Sequence, residues 1–241
     1  MIAKIEETDT DAVKRGCVLA LVGLSGTGKG TTVEKLKEHV QNKAGKAVTW
    51  SNGNVFRCLT MHFCDHCERV LGGSACLESL STMEEEKLGE LTAENIASWM
   101  QKITFGEFEP SSASPPHWDI RVDRGGEQLY VSEICNTLLK EPRISKHIPS
   151  VAGKTQGEVV LFAANACKKM GEGGSVVVVE GREDTVNFIP TPHRFCLTMS
   201  DTSVIGQRRA AQRVVAEALR LEGHAEPTEG LRKAVEAMTN K

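Results

Sequence analysis

Cys17-Val-Leu-Ala-Leu-Val-Gly-Leu-Ser-Gly-Thr-Gly-Lys-Gly-Thr31 joins three kinds of sequence without a break. Cys17 to Val22 is continuously apolar, the pattern of a parallel strand buried on both faces. From Thr31 to Val40 the apolar residues Val33, Leu36 and Val40 recur on one face of a helix. Between strand and helix, Gly23, Gly28 and Lys29 meet the spacing G-x-x-x-x-G-K. Each residue type has a physical task there. Glycines let successive backbone N–H groups turn inward as an anion nest, the helix N-terminus adds partial positive charge, and Lys29 reaches the β- and γ-phosphates of a bound nucleotide. A glycine turn that binds nothing is the alternative, and the agreement of motif with strand-loop-helix context favours the phosphate site.

Composition sets the frame around this stretch. The 241 residues hold 29 Lys and Arg against 32 Asp and Glu, a formal charge of −3, with 40% hydrophobic and 25% charged residues. That is the balance of a globular protein with a real core, which excludes disorder and low complexity. Positive charge is scattered, so no nucleic-acid partner is expected, although local arginine clusters suit one small anion. The longest apolar runs, Cys17–Leu24 and Val176–Val179, fall far short of the roughly 20 residues of a membrane span. The acidic start Met1-Ile-Ala-Lys-Ile-Glu-Glu-Thr-Asp9 does not suit a transit peptide. A cytoplasmic protein is expected, with its eight cysteines as thiols.

After Lys29 comes Gly30, so the hydroxyl that commonly sits on Mg²⁺ moves to Thr31, and Gly28-Lys-Gly-Thr31 resembles the nucleoside monophosphate kinases. Lys46 to Ser51 reads as a second strand, leading into Ser51-Asn-Gly-Asn-Val-Phe-Arg57. This segment is similar to the Asp-Ser-Gly-x-x-Tyr-Arg of the cytidylate kinase family, with Gly53 and Arg57 matching and Phe56 conservative for Tyr. Gly174 to Glu180 reads as a third strand, and the following Gly181-Arg-Glu183 resembles the family's Asp-Gly-Arg-Asp, with Glu180 and Glu183 each one methylene longer than Asp. His193 to Met199 is a fourth strand, and Asp201 or Thr202 caps a helix carrying Arg208, Arg209 and Arg213.

The resemblance implies roles at these positions. ATP with Mg²⁺ would lie on Gly23, Ser25, Gly26, Thr27, Gly28, Lys29, Gly30 and Thr31, with Arg208 and Arg209 closing over its phosphates. The acceptor monophosphate would be held by Asn52, Gly53, Phe56, Arg57, Arg182 and Glu183. Lys29, Arg57 and Arg182 would be the catalytic cations, and Thr31 and Glu180 would serve Mg²⁺. Residues 105–108, 119–123 and 127–132 read as a small antiparallel sheet with a hairpin turn at Asp123-Arg-Gly-Gly126. The family carries such a sheet in its acceptor-binding insert, here 52–170. Through 144–166 the resemblance thins. The family's Val-Arg-x-x-Leu and following Gln are best matched by Gly157-Glu158 and Asn165, with Ser150 as a candidate base contact.

The C-terminal part departs from the family. The arginine-rich helix runs to about Leu221, 222–227 reads as a linker and 228–238 as the last helix, so the family's arginine-bearing lid and fifth strand are missing. An incomplete gene model or splice form, an enzyme working without a full lid, and a protein that no longer catalyses are all compatible with that. Cys58, His62 and His66 would share one face of a helix over 55–71, but no single helix offers four ligands to one zinc ion, and Cys64 and Cys67 face elsewhere. Cys76, Cys135, Cys167 and Cys196 read as core.

The expected fold is therefore α/β, a three-layer P-loop kinase domain over 1–241 with a parallel sheet and the insert over one edge. The expected function is phosphoryl transfer from ATP to a pyrimidine nucleoside monophosphate, CMP or dCMP, by a monomer. A P-loop kinase of small metabolites and a non-catalytic nucleotide-binding relative are the alternatives.

Overall fold

The apolar run is strand β1 (Cys17–Val22), and its side chains divide between two cores. Leu19 and Leu21 enter one with Val33 and Val40 of helix α3 (Lys29–Ala44), while Ala20 and Val22 enter the other. A strand alternates its side chains between faces, so an unbroken apolar run has both faces covered. Strand β6 (Val176–Gly181) repeats the division, with Val176 and Val178 on the α3 side and Val177 and Val179 opposite. The computed structural model describes residues 1–24, 26–44, 46–71, 88–110, 115–181, 183–201, 203–220 and 227–239.

Four parallel strands lie in the order β2 (Ala47–Trp50), β6, β1, β7 (His193–Cys196). Cys17 pairs with Val176 and Val22 with Gly181, so β1 and β6 end together and the segments that follow them leave the same edge side by side. At the other side of the sheet, β7 alternates between half-buried and exposed. Cys196 is consequently exposed rather than core, and Cys135 is only half-buried, whereas Cys167 is buried as expected. Cys76 lies outside the described residues.

Helices α1 (Ile2–Thr8) and α2 (Ala12–Arg15) bury Ile2, Ile5, Ala12 and Val13 beside α3, completing the layer on that face. On the opposite face pack α4 (Asn52–Leu71) and α7 (Pro142–Glu172). Proline at the first turn starts α7 without losing a bond, but Pro149 inside it cannot donate, and the helix leaves regular geometry at Thr155 (φ −119, ψ 16). Thr155 is fully buried and its hydroxyl donates to Val151 O at 2.9 Å.

The segment between α4 and α7 builds the second, antiparallel sheet. Helix α5 (Ala93–Gln101) starts where Thr92 Oγ1 accepts from Asn95 N at 3.1 Å. Strands β3 (Ile103–Phe108), β4 (His117–Arg124) and β5 (Glu127–Tyr130) follow, then the short helix α6 (Val131–Ile134). The β4–β5 turn is Gly125-Gly126, both at positive φ (67 and 97), as a two-residue hairpin loop requires, and Asp123 Oδ1 accepts from Gly126 N at 2.7 Å.

An aromatic chain joins this sheet to the first one. Phe105 stacks on Trp118 at 5.3 Å and meets the edge of Trp50 at 5.4 Å, and Trp50 in turn lies 6.1 Å from Phe162 of α7. A carboxylate clamp fixes the same layer. Asp65 of α4 takes Arg124 Nε at 2.7 Å and Arg143 Nη1 at 3.0 Å, and Arg143 also reaches Glu68 and Glu141.

Beyond β7, Asp201 Oδ1 accepts from Ser203 N at 2.9 Å and opens helix α9 (Ser203–Arg220), against which α10 (Pro227–Thr239) packs. Thr202 lies outside the described residues. Among the described residues the parallel sheet has four strands and no fifth. No helix among them is long and apolar enough to cross a membrane.

Candidate functional site

The turn after β1 is shaped by contacts that only glycine tolerates at Gly23. Its φ is +149, and a Cβ there would stand 2.5 Å from Leu197 O, at the end of the neighbouring strand connection. Gly28 has φ +91 and leads directly into α3, which begins at Lys29. The loop is braced from within. Thr27 Oγ1 donates to Leu24 O at 2.8 Å, Thr32 Oγ1 donates to Gly28 O at 3.1 Å, and Lys29 Nζ donates to Gly23 O at 2.7 Å and Leu24 O at 3.0 Å. A helix start leaves backbone N–H groups without intrahelical acceptors and carries the positive end of the dipole. At α3 that end opens onto a cleft.

This cleft has a volume of about 1270 Å³ and brings together much of what the sequence singled out. Gly26, Thr27, Gly28, Lys29, Gly30 and Thr31 form its floor. Asn52, Gly53 and Phe56 reach it from the start of α4, and Glu180 from the end of β6. Arg208 leans in from α9, its Nη1 3.9 Å from where a side-chain carbon at Gly28 would stand. Arg57 flanks the cleft at Gly53, with Nη1 3.0 Å from the Cβ position of that glycine, and its buried Nε finds no acceptor among the described residues.

Other candidates are placed differently. Asn52 lines the cleft, but its Oδ1 already accepts from the buried Trp50 indole at 2.7 Å. Glu183, at the start of helix α8 (Glu183–Val186), is exposed and does not line the cleft, and neither do Ser150, Glu158 or Arg213. Ser25, Arg182 and the side chain of Arg209 lie outside the described residues. Sequence reasoning missed the wall supplied by α7, namely Ile148, Pro149, Ala152 and Gln156, together with Lys35 on α3. The i, i+4, i+8 spacing of Ile148, Ala152 and Gln156 was the available signal.

Thr31 and Glu180 share the cleft, a hydroxyl and a carboxylate suited to a hard cation. Among the described residues no group of three or more His, Cys, Asp or Glu side chains is placed to hold a metal by itself. The donor set therefore fits a Mg²⁺ that arrives with phosphate oxygens of its own. The Cys-His face of α4 is occupied by core. Cys58 is fully buried, and burial pushes its thiol well above the usual range. His62 is buried with Nε2 unbonded among the described residues, and burial, helped by the charge of Lys102, lowers its pKa to about 4. His66 is bound at Nε2 to Glu90 at 2.7 Å, and Arg69 donates to its Nδ1 at 3.2 Å.

No protein-family model matches the chain. Among curated proteins it is similar to multidrug resistance protein 1 of Entamoeba histolytica, 23% identical over 183 residues, a match covering 72% of this chain. The chain spans 14% of the length of that relative.

Proposed function

We propose that the protein is a P-loop kinase of the cytidylate type, transferring the γ-phosphoryl group of ATP to a pyrimidine nucleoside monophosphate. The observation that carries this reading is the glycine loop with Lys29 at the head of α3, opening onto a cleft beside which, behind Gly53, stands Arg57, whose buried Nε finds no acceptor among the described residues. The loop suits the phosphates of the donor nucleotide, the arginine the phosphate of an acceptor. At about 1270 Å³ the cleft exceeds the roughly 300–1,000 Å³ usual for one small ligand, which supports two occupants. The parallel-sheet order, with β1 and β6 ending side by side, supports it as well, because ligands of such sheets sit beyond the carboxyl ends of the strands.

In this reading Lys29 Nζ leaves its two loop carbonyls for β- and γ-phosphate oxygens, and the α3 N-terminus holds the phosphate charge. Arg208 closes over the donor from α9. Arg57 grips the acceptor phosphate through a planar fork that matches two oxygens. Arg182, which follows β6 in the chain and lies outside the described residues, would share that phosphate by the family resemblance. Mg²⁺, when bound with ATP, neutralises charge on the phosphoryl oxygens, with Thr31 and Glu180 as the residues that would meet it or its waters. Phosphoryl transfer asks little covalent help from a protein beyond this alignment and charge. The acceptor role is tested by Arg57→Met, which is expected to raise the acceptor KM at least tenfold while the KM for ATP holds. Equal rises for both ligands would count against it.

A further inference from the structure

Helix α7 lines the cleft with Ile148, Pro149, Ala152 and Gln156, a stripe that continues past the non-helical Thr155 to its last member. The stripe is apolar until its last position, where it ends in an amide. Phe56 of α4 lines the same cleft, which gives an aromatic ring and aliphatic surface for a flat ring to lie against. Other polar side chains line the cleft, Ser51 before α4, Thr185 on α8 and Gln212 on α9, but Gln156 is the one carried by the apolar stripe itself. Asn52 has its Oδ1 engaged by Trp50, and Ser150 and Glu158 do not line the cleft, whereas Gln156 makes no hydrogen bond to any described residue. The break in α7 at Thr155, tied back to Val151, sets the turn of helix from which Gln156 projects.

We propose that Gln156 is the specificity-determining residue that reads the base of the acceptor nucleotide, and that its amide admits both cytosine and uracil. The proposal rests on the kinase reading above. Cytosine presents an amino donor at C4 beside the N3 acceptor, and uracil presents the reverse, a C4 carbonyl beside N3–H. A primary amide carries an acceptor oxygen and a donor NH2 group side by side and exchanges them by rotating about its terminal torsion, so it satisfies either edge. A base that lacks the C4 group leaves half of the amide unmatched, and sites built on such hydrogen bonds reject the analogue that lacks one.

The test is direct binding of CMP, UMP and the 2-pyrimidinone ribonucleoside monophosphate, which lacks the C4 substituent, by titration calorimetry on the full chain. Each titration is done with a non-hydrolysable ATP analogue present. The wild-type protein is expected to bind CMP and UMP within about tenfold of each other and the 2-pyrimidinone compound about tenfold more weakly than CMP, the scale of one net hydrogen bond. In Gln156→Met the three affinities converge, and Gln156→Ala, which adds no apolar bulk, shows the same convergence. Affinity for the ATP analogue stays at the wild-type value in both variants, which also reports that they are folded. Variants that keep the wild-type ratios among the three ligands would overturn the role of Gln156 and leave the kinase reading standing. A wild-type protein that binds the ATP analogue but no monophosphate would overturn the acceptor site as well.

Discussion

A methyl group at Gly23 would meet Leu197 O at 2.5 Å from a backbone at φ +149, whereas one at Gly30 meets nothing within 4 Å. Two glycines of one motif, the first in the loop and the second in the first turn of α3, thus differ in what a side chain would meet. Gly23→Ala is expected to lower stability by about 2–3 kcal/mol, through backbone strain and a clash that the sheet cannot relax. Gly30→Ala sits in the first turn of α3 and is expected to be neutral or stabilising by up to about 1 kcal/mol. Urea denaturation of the two variants separates these outcomes. If Gly30→Ala nonetheless weakens ATP binding, the methyl group is meeting the ligand and not the protein. His62 makes a second prediction at this scale. Its pKa is lowered to about 4 in the native state against an ordinary 6.5, chiefly by burial, with Lys102 and Arg124 lowering it and Asp65 and Asp123 opposing. The unfolded chain therefore takes up a proton that the native state refuses. Stability falls as pH drops from 6.5 towards 4, by up to about 1.4 kcal/mol per unit and roughly 3 kcal/mol in all. His62→Leu should flatten that slope, and an unchanged slope would place the titration elsewhere.

Among the elements, the clamp of Asp65, Arg124 and Arg143 joins three pieces of chain far apart in sequence: α4, the β4–β5 hairpin and the start of α7. Burial alone would raise the Asp65 pKa, but the hydrogen bonds from Arg124 and Arg143 outweigh it and hold the carboxyl below its ordinary value. Stability from this clamp is present above the unfolded carboxylate value near pH 4 and is lost as pH falls through the lower native value, a window below that of His62. The groups are partly exposed, so solvent discounts their worth. Arg143→Met is expected to cost about 1–2 kcal/mol at neutral pH by urea denaturation, with Asp65→Asn similar there and losing less stability than the wild type as pH falls below 4. Several elements were legible because their chemistry is local. The double-faced apolar run of β1, the glycine loop into α3 and the Gly125-Gly126 hairpin declare themselves within a few residues. Helix α7 was read from the sequence neither as a helix nor as a wall of the cleft. Its stripe of Ile148 and Ala152 looks like core, and only the packed structure shows that the stripe faces open space ending at Gln156. Cys196 misled for the related reason that β7 has one uncovered face.

For the whole molecule, the two cores place the glycine loop and the end of β6 at one edge of the sheet and set α4 and α7 across from them. The cleft between them follows from that arrangement and from no single residue. A ligand that binds only the folded cleft must stabilise the whole chain, by about 2.7 kcal/mol at a hundredfold excess over its Kd. ATP with Mg²⁺ is therefore expected to raise the Tm of the wild-type protein and to leave that of Lys29→Ala unmoved. The loop, the four parallel strands and the two helices after β7 were readable before the structure, whereas the strand order β2, β6, β1, β7 needed it. The most direct measurement is ADP formation from ATP and Mg²⁺ across CMP, dCMP, UMP and AMP, with Lys29→Ala as the blank. The account predicts ADP with the pyrimidine monophosphates and none above background in the variant. ATP binding without turnover on any acceptor, or turnover undiminished in Lys29→Ala, would contradict it.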